Sequence, residues 1–422
     1  MLTLQLFREN KEVVLNGLKK KNFKEPEIVD HIIEKDEAKR AKQQESEALA
    51  SRIKQSSKEV GGLMAKGEKE KAEALKNEVS ALKEEQKQIA RDVAHLEHEV
   101  LELLLKLPNL PHESVPEGIG ADDNEIVFCV GHIPDLTEDA LPHWDLAKKY
   151  NLIDFETGVK ITGSGFPLYV NKGARLQRAL ISYFLDFNTR AGYQEYEPPF
   201  MVNEDSAYGT GQLPDKEGQM YHATADNFYL IPTAEVPLTN IYRDVIIDKA
   251  QLPVKMTAYT PCFRREAGSY GKDVRGLNRL HQFDKVELVN ICRPEESYQV
   301  LDEMVAHVEN LLKALKLPYR ILRLCGGDMS FTSALTYDFE VYSAAQKRWL
   351  EVSSVSNFES YQSNRMKIRY KGESGKTELL HTLNGSSLAL PRILACLLEN
   401  NQQSDGIYLP EVLWPYIGKV IN

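Results

Sequence analysis

Residues 261–287 carry the sequence PCFRREAGSYGKDVRGLNRLHQFDKVE, and this stretch decides how the rest of the chain is interpreted. It joins two strand-like runs and combines six cationic side chains with three glycines and the aromatic ring of Phe283. Guanidinium groups suit phosphate binding, glycines keep a loop adaptable, and an aromatic face can stack on a base. Composition alone leaves two interpretations open, a nucleotide-binding hairpin and a solvated charged hairpin.

The chain around this stretch mixes helical and strand patterns. Residues 173–191 form an amphipathic helical pattern, and strand-like runs occupy residues 228–231, 286–289 and 337–342. Because regular helices do not separate the strands, a mainly antiparallel sheet flanked by helices is expected rather than a doubly wound parallel one. The predicted fold class is α+β.

The N-terminal part has a different pattern, with no Gly or Pro between residues 68 and 106. A heptad repeat there predicts a coiled-coil helix, with its seam at Leu75, Val79, Leu82, Ile89, Val93, Leu96, Val100 and Leu103 and one polar position at Gln86. A second helical stretch covers about residues 26–60, and the glycine-rich residues 61–67 predict a reversal between the two. The result is an antiparallel two-helix arm of about 50 Å.

The net charge of −10 disfavours a generic basic nucleic-acid binder. Residues 1–100, however, carry 20 basic and 20 acidic side chains, so the acidic excess lies entirely downstream. Screening makes local clusters matter more than totals. The arm is therefore either a spacer or dimerisation coiled coil, or a surface for a polyanion that uses Arg52, Lys54, Lys58, Lys66, Lys69 and Lys71.

Three prolines and a glycine between residues 107 and 118 end the helical pattern. The predicted organisation is an arm at 1–106, a linker at 107–120 and a catalytic domain at 121–422. The five cysteines are widely spaced, and the chain shows neither a signal peptide nor an apolar run of membrane-spanning length. We therefore expect a cytoplasmic protein with no membrane partner.

A resemblance decides between the two interpretations of residues 261–287. Phe263-Arg264-x-Glu266 with Arg275-Gly276-Leu277 and residues 281–287 resembles motif 2 of the class II aminoacyl-tRNA synthetases in its seryl-tRNA synthetase form. Residues 173–199 resemble motif 1, and residues 383–400 resemble motif 3. Thr233-Ala234-Glu235 is similar to the family's serine-binding loop, and residues 351–357 to its metal and ATP segment. The likeness covers essentially the whole chain.

The resemblance implies ATP-dependent ligation of L-serine to tRNA(Ser) through a seryl-adenylate, with tRNA(Sec) as a further candidate acceptor. Arg264 and Arg392 would be catalytic, on the α- and γ-phosphates. Serine would be bound by Thr233, Ala234, Glu235, Glu287, Asn384 and Ser386. ATP would contact Arg264, Arg265, Glu266, Leu280, Phe283, Glu351, Val352, Ser353, Ser354 and Arg392. Mg²⁺ would be held by Glu351 and Ser354.

The resemblance also implies a homodimer through motif 1 and an arm that clasps tRNA. Three positions depart from the family pattern, Ser387 and Pro391 in motif 3 and Asn364 after Phe358. Two rival functions remain at this point. One is a ligase that charges a carrier protein, which the presence of the arm disfavours; the other is a non-enzymatic adaptor, which the retained charged residues disfavour.

Overall fold

A computed structural model of the chain describes residues 1–266 and 275–422. It divides into two compact units, Met1–Pro108 and Asn109–Asn422. The first unit is helical, with α1 (Leu4–Glu9), α2 (Lys11–Lys20), α3 (Ile28–Ala65) and α4 (Lys69–Lys106). Among the described residues, no helix combines the length and apolarity that crossing a membrane requires.

The two long helices α3 and α4 pair along the predicted seam. Val79, Leu82, Ile89 and Val100 are buried in it, and the other heptad positions of α4 are half-buried. Two ion pairs join the helices across the seam: Lys35 Nζ lies 3.0 Å from Glu99 Oε1, and Arg52 Nη2 lies 2.6 Å from Glu78 Oε1. The coiled-coil arm predicted from the heptads is confirmed.

The reversal between these helices lies at the end of the predicted segment 61–67. Gly61 and Gly62 are helical, and α3 continues to Ala65. The reversal uses Gly67, whose φ of +79° is left-handed. Its amide donates to Met64 O at 3.2 Å and the next amide donates to Leu63 O at 3.0 Å, the two hydrogen bonds of a Schellman motif. Glycine adopts a left-handed φ without the steric cost that other residues pay, which favours the turn at Gly67. The helix can continue through Gly61 and Gly62 because a glycine in a helix interior costs only about 1 kcal/mol.

The second unit is built on a central sheet. The strands of the unit are β1 (Glu125–Val130), β2 (Ile153–Asp154), β3 (Leu168–Tyr169), β4 (Gln194–Glu195), β5 (Met201–Val202), β6 (His222–Ala223), β7 (Phe228–Leu230), β8 (Ile246–Ile247), β9 (Val254–Phe263), β10 (Gln282–Cys292), β11 (Tyr319–Arg323), β12 (Leu335–Ser343), β13 (Arg348–Asn357), β14 (Arg369–Lys371), β15 (Thr377–Leu379), β16 (His381–Ala389), β17 (Ile407–Tyr408) and β18 (Val420–Ile421). Counted over the described residues, the central sheet has eight strands in the order β1-β11-β12-β13-β16-β10-β9-β4. Its pairings are antiparallel except that of β4 with β9 at one edge. The α+β class and the mainly antiparallel sheet are thus confirmed.

Helices pack on this sheet and complete the core. They are α5 (His143–Lys149), α6 (Phe155–Ile161), α7 (Asn171–Arg190), α8 (Glu204–Thr210), α9 (Glu235–Asn240), α10 (Ser297–Ala314), α11 (Tyr361–Met366), α12 (Leu390–Asn400) and α13 (Trp414–Ile417). The amphipathic pattern at 173–191 corresponds to α7, and the three strand-like runs lie in β7, β10 and β12. The polar side chains of the candidate site lie in and beside the neighbouring strands β13, β16, β10 and β9.

Candidate active site

The candidate site is organised by one face of β10. Successive side chains of a strand point to opposite faces, so Phe283, Lys285 and Glu287 share a face. Val286 and Leu288 on the other face belong to the main hydrophobic core. A row of polar groups can therefore run through the middle of a buried sheet without disturbing its apolar side.

Glu287 is fully buried and engaged at both carboxylate oxygens. Thr233 Oγ1 donates to its Oε2 at 2.9 Å, and Asn384 Nδ2 donates to its Oε1 at 2.8 Å. Lys285, also buried, forms an ion pair with Glu287, and its Nζ donates to Thr233 Oγ1 at 2.9 Å. Because an isolated buried charge would cost several kcal/mol, these donors are what make a carboxylate tolerable here.

Glu235, the first residue of α9, is a second buried carboxyl close to the first. Gln362 Nε2 donates to its Oε1 at 2.6 Å. Burial raises the pKa of Glu235 to about 7, the Gln362 hydrogen bond opposes that rise, and the charge of Glu287 adds to it. Glu235 therefore changes its charge near neutral pH.

The other residues predicted to bind the substrate serine lie around the carboxyl groups of Glu287 and Glu235. Thr233 and Ala234 are buried immediately before α9, and Ser386 pairs with Glu287 across β16 and β10. Ser386 lies within β16, and α12 begins only at Leu390. Pro391, one of the departures from the family pattern, occupies the first turn of α12.

Arg264 and Phe283, two residues predicted to bind the nucleotide, lie where β9 ends and β10 begins. The Arg264 guanidinium carbon is 5.3 Å from the centroid of the Phe283 ring, a cation–π distance. The amide of Arg264 donates to His281 O at 2.9 Å, and that of Arg265 donates to Gln219 O at 2.9 Å. The hairpin is thus tied down on both sides of Arg264.

Glu266 and Leu280 bracket the part of the hairpin that lies outside the described residues, 267–274, which includes Lys272. Arg279 Nε donates to Glu266 Oε2 at 2.5 Å, and Leu280 is buried. The predicted contact of Glu266 with a base would compete with this ion pair.

Arg392 reaches from α12 to β13. Its Nη1 donates to the carbonyl of Glu351 at 2.7 Å and lies 3.6 Å from Glu351 Oε2, while its Nε donates to Asn278 O at 3.1 Å. The side chain stays 30% exposed, so the guanidinium is positioned but accessible to a ligand.

A β-bulge brings the two predicted metal residues to one face. Glu351 and Ser354 are three positions apart and would point to opposite faces of a regular strand. Asp338 pairs with Ser354 and Glu340 pairs with Glu351, so β13 has one more residue than β12 between these pairs. Since cross-strand partners share a face, all four side chains project from the same side of the sheet.

The residues around Asp338 fit a divalent cation. Asp338 Oδ1 is buried and accepts no hydrogen bond within the described part of the chain. Burial, and then the charge of Glu351, raise the pKa of Asp338 well above its usual range, against the effect of a hydrogen bond with Ser354. A hard cation with oxygen ligands would stabilise such a group. No cluster of three or more His, Cys, Asp or Glu suited to a metal occurs among the described residues, so substrate oxygens would have to complete the coordination.

Val352 and Ser353, which lie between the predicted metal residues Glu351 and Ser354, are both buried. Ser353 Oγ donates to the carbonyl of Ser386 at 2.6 Å, which fastens β13 to β16 at the site. The geometry gives Ser353 a structural role and leaves its predicted ATP contact as a prediction.

The sequence interpretation did not identify Lys285 as a candidate site residue. The period-two alternation of Phe283, Lys285 and Glu287 was the signal that could have found it. Asp338 was also missed. Its only signal in the sequence is its alternation with Glu340, and no sequence pattern indicates the bulge that places Asp338 on the same face as Glu351 and Ser354.

Two family models match the chain. The model of the seryl-tRNA synthetase N-terminal domain matches residues 1–111, and that of the tRNA synthetase class II core domain (G, H, P, S and T) matches residues 220–401. A serine–tRNA ligase from Salinibacter ruber is 53% identical over 420 residues, which are 99% of this chain and 98% of that protein. The chain belongs to the seryl-tRNA synthetase family.

Solved structures of the family agree along the whole length. The seryl-tRNA synthetase from Pyrococcus horikoshii complexed with ATP superposes with a TM-score of 0.93 at 32% identity, covering 100% of this chain and 99% of that one. The cytoplasmic serine–tRNA ligase from Naegleria fowleri in complex with AMP gives 0.88 at 28% identity, with coverages of 100% and 99%. The family resemblance predicted from the motifs is therefore confirmed.

Proposed function

We propose that this protein is a class II serine–tRNA ligase. A serine carboxylate oxygen attacks the α-phosphorus of ATP, the bond to pyrophosphate breaks, and seryl-adenylate forms. A terminal ribose hydroxyl of tRNA(Ser) then attacks the seryl carbonyl, and AMP leaves. The observation that carries this proposal is the buried Glu287 cluster beside Arg264 and Phe283, a polar pocket for a small zwitterion next to a surface for a nucleotide.

Serine is selected by buried groups that need its polar atoms. Glu287 and Glu235 provide carboxylate oxygens for its ammonium and hydroxyl groups, with Thr233, Asn384 and Ser386 completing the pocket beside Ala234. Alanine leaves a buried polar group unpaired, which discriminates strongly, whereas threonine is excluded by the size of the pocket.

The nucleotide lies along the β9 end of the site. Arg264 holds the α-phosphate on which charge develops, and Arg392 holds the γ-phosphate from its position at Glu351. Phe283 stacks on adenine, Glu266 contacts the base, and Arg265, Leu280, Val352 and Ser353 line the nucleotide. Positioning and charge stabilisation suffice for such a transfer, and the attacking carboxylate is already ionised, so no general base is required.

Glu351 and Ser354 are the side chains that would hold Mg²⁺, together with phosphate oxygens of ATP. When bound, the ion would neutralise phosphate charge during the transfer. The bulge in β13 serves this role by presenting both side chains on the face that carries Arg392.

The arm is proposed to bind tRNA. Lys54, Lys58, Lys66 and Lys69 are exposed near its tip. Arg52 and Lys71 are instead engaged in ion pairs, with Glu78 and Glu68. Contacts between the basic side chains of the arm and tRNA phosphates would make the affinity for tRNA fall as the salt concentration rises. Charging of tRNA(Sec) belongs to the same proposal.

We further propose that the enzyme is a homodimer formed through the motif 1 region and that it acts in the cytoplasm. A reducing compartment fits the five cysteines, all of which lie in the described residues as free thiols.

Serine-dependent ATP–pyrophosphate exchange, followed by charging of total tRNA with labelled serine, tests the proposed function. Both activities are expected. A protein that performs neither is not a ligase, and one that exchanges without charging tRNA would instead be a ligase for another acceptor.

A further inference from the structure

A short hydrogen-bond relay leads from the central sheet to Glu235. Thr382 Oγ1, in β16, donates to Gln362 Oε1 at 2.7 Å. Gln362 Nε2 in turn donates to Glu235 Oε1 at 2.6 Å and to the carbonyl of Thr210 at 3.1 Å. All of these side chains are buried, and Gln362 is only 1% exposed.

The chemistry of the partners fixes the orientation of the Gln362 carboxamide. The Thr210 carbonyl can only accept, so the amide nitrogen must face it, and the Thr382 hydroxyl satisfies the oxygen on the other side. The second N–H of Gln362 is thereby directed at Glu235. Within the described residues, Oε1 is the one oxygen of the Glu235 carboxyl that accepts a hydrogen bond, which leaves Oε2 for a ligand.

We propose that Gln362 is a positioning residue for serine recognition: held by Thr382 and Thr210, its carboxamide fixes the carboxyl of Glu235 in the orientation that receives the serine ammonium group. This inference rests on the proposed function, because it assigns a partner to one of the proposed serine ligands. Gln362 itself does not touch serine.

The charged groups that face Glu235 make the relay necessary. Glu287 and Lys285 of β10 and Arg264 after β9 influence it electrostatically, whereas α8, α11 and β16 contribute the neutral groups of Thr210, Gln362 and Thr382. Burial and Glu287 both favour the protonated form of Glu235, and the Gln362 hydrogen bond favours the anion. A protonated carboxyl is a poor acceptor for an ammonium group.

A purely structural role for Gln362 has to be distinguished, because its bond to Thr210 also fastens the end of α8. Arg365, one turn further along α11, offers the matched comparison. Its Nη1 donates to the carbonyls of Tyr208 and Leu213, at 3.0 and 2.9 Å, on the same segment. Arg365 thus fastens this segment without contacting Glu235.

The test measures ATP–pyrophosphate exchange in the full-length enzyme with Gln362→Met, Thr382→Val, Thr382→Ser and Arg365→Met. Gln362→Met should raise the KM for serine by about tenfold or more at pH 7 and leave the KM for ATP within about twofold. The pH at which the KM for serine falls should move upwards in this variant, because the pKa of Glu235 rises when the donor is lost. Thr382→Val should act in the same direction, and Thr382→Ser, which keeps the hydroxyl, should resemble wild type.

The outcomes separate the two levels of the argument. If wild type shows no serine-dependent exchange, the proposed function is wrong. If wild type exchanges but Gln362→Met changes both KM values together, or Arg365→Met raises the KM for serine equally, Gln362 is only structural and the inference is overturned. Should Gln362→Met not fold, the contrast between Thr382→Val and Thr382→Ser decides the matter alone.

Discussion

His143 and Glu399 lie together in the core, both fully buried, with His143 Nδ1 2.7 Å from Glu399 Oε1. The amide of Leu277 donates to the other ring nitrogen, Nε2, at 2.8 Å. Nε2 must therefore be the unprotonated nitrogen, and Nδ1 carries the proton that is donated to Glu399. His143, in α5, thus holds Leu277 in place. The next residue, Asn278, has the carbonyl that accepts a hydrogen bond from Arg392.

Replacing His143 with Phe should raise the KM for ATP by about tenfold, because the Leu277 amide loses its acceptor and the support of Arg392 loosens. The KM for serine should change little. Exchange kinetics with each substrate varied separately measure both. His307→Phe is the control, at a half-buried histidine whose Nε2 lies 2.8 Å from Asn188 Oδ1, and it should lower stability without a selective effect on ATP. Equal loss for both substrates in His143→Phe would contradict a role at the nucleotide.

The ion pair of Lys285 and Glu287 predicts a difference between stability and activity. Lys285→Met should destabilise the protein by about 3–5 kcal/mol, because Glu287 remains buried without its cation. Combining it with Glu287→Gln should recover much of that stability, since neither charge remains, but activity should stay lost in both. Denaturant unfolding and exchange assays give the two readouts; a double variant that regains exchange would show that Glu287 does not bind serine.

Glu235 should make stability depend on pH. Its pKa is about 7 in the folded state against 4.5 for an unperturbed glutamate, so the folded protein holds this proton more tightly than the unfolded chain does. Unfolding free energy should therefore decrease as pH rises from about 4.5 to 7, by up to about 3 kcal/mol from this group. Glu235→Gln should flatten that part of the profile and raise stability at pH 8. Unchanged profiles in thermal unfolding would contradict the buried, titrating carboxyl.

The sequence predicted those features that depend on local periodicity. The heptads of α4 and the alternation of β10 are physical consequences of which side chains must be buried, so they can be found without coordinates. The reversal of the arm was predicted at residues 61–67 and lies at Gly67, whose left-handed φ determines the turn, whereas Gly61 and Gly62 are still helical.

The candidate site was harder to predict from the sequence, because it depends on an irregularity in a strand and on contacts between residues that are far apart in the chain. The resemblance supplied Glu287, Arg264 and Glu351, but the shared face of Glu351 and Ser354 depends on a bulge whose presence no spacing indicates. Gln362 is bonded to Glu235, which lies 127 positions away in the chain, so only the folded structure brings the relay together.

Glu351→Ala should abolish exchange while tRNA binding is kept. The backbone bond from Arg392 to the Glu351 carbonyl survives this change, so the loss would report on the carboxylate itself. Raising Mg²⁺ should restore part of the activity if the variant only weakens metal affinity. Glu373→Ala, at a side chain 96% exposed, is the control and should exchange normally. Normal exchange by Glu351→Ala at low Mg²⁺ would show that the metal assignment is wrong.

The register of the arm permits a deletion that tests its role without unfolding its base. Arg52 and Glu78 face each other, so removing residues 53–77 and joining the ends by a short glycine turn leaves a shorter antiparallel pair. The Lys35–Glu99 pair and the buried residues Val29 and Ile32 remain in place. We expect full exchange activity but loss of tRNA charging, because the exposed lysines at 54, 58, 66 and 69 are removed. Replacing these four lysines with glutamine in the full-length arm should weaken tRNA binding and reduce its salt dependence. Charging that survives the deletion would show that tRNA is held elsewhere, and a deletion that also lost exchange would show that the arm supports the catalytic unit.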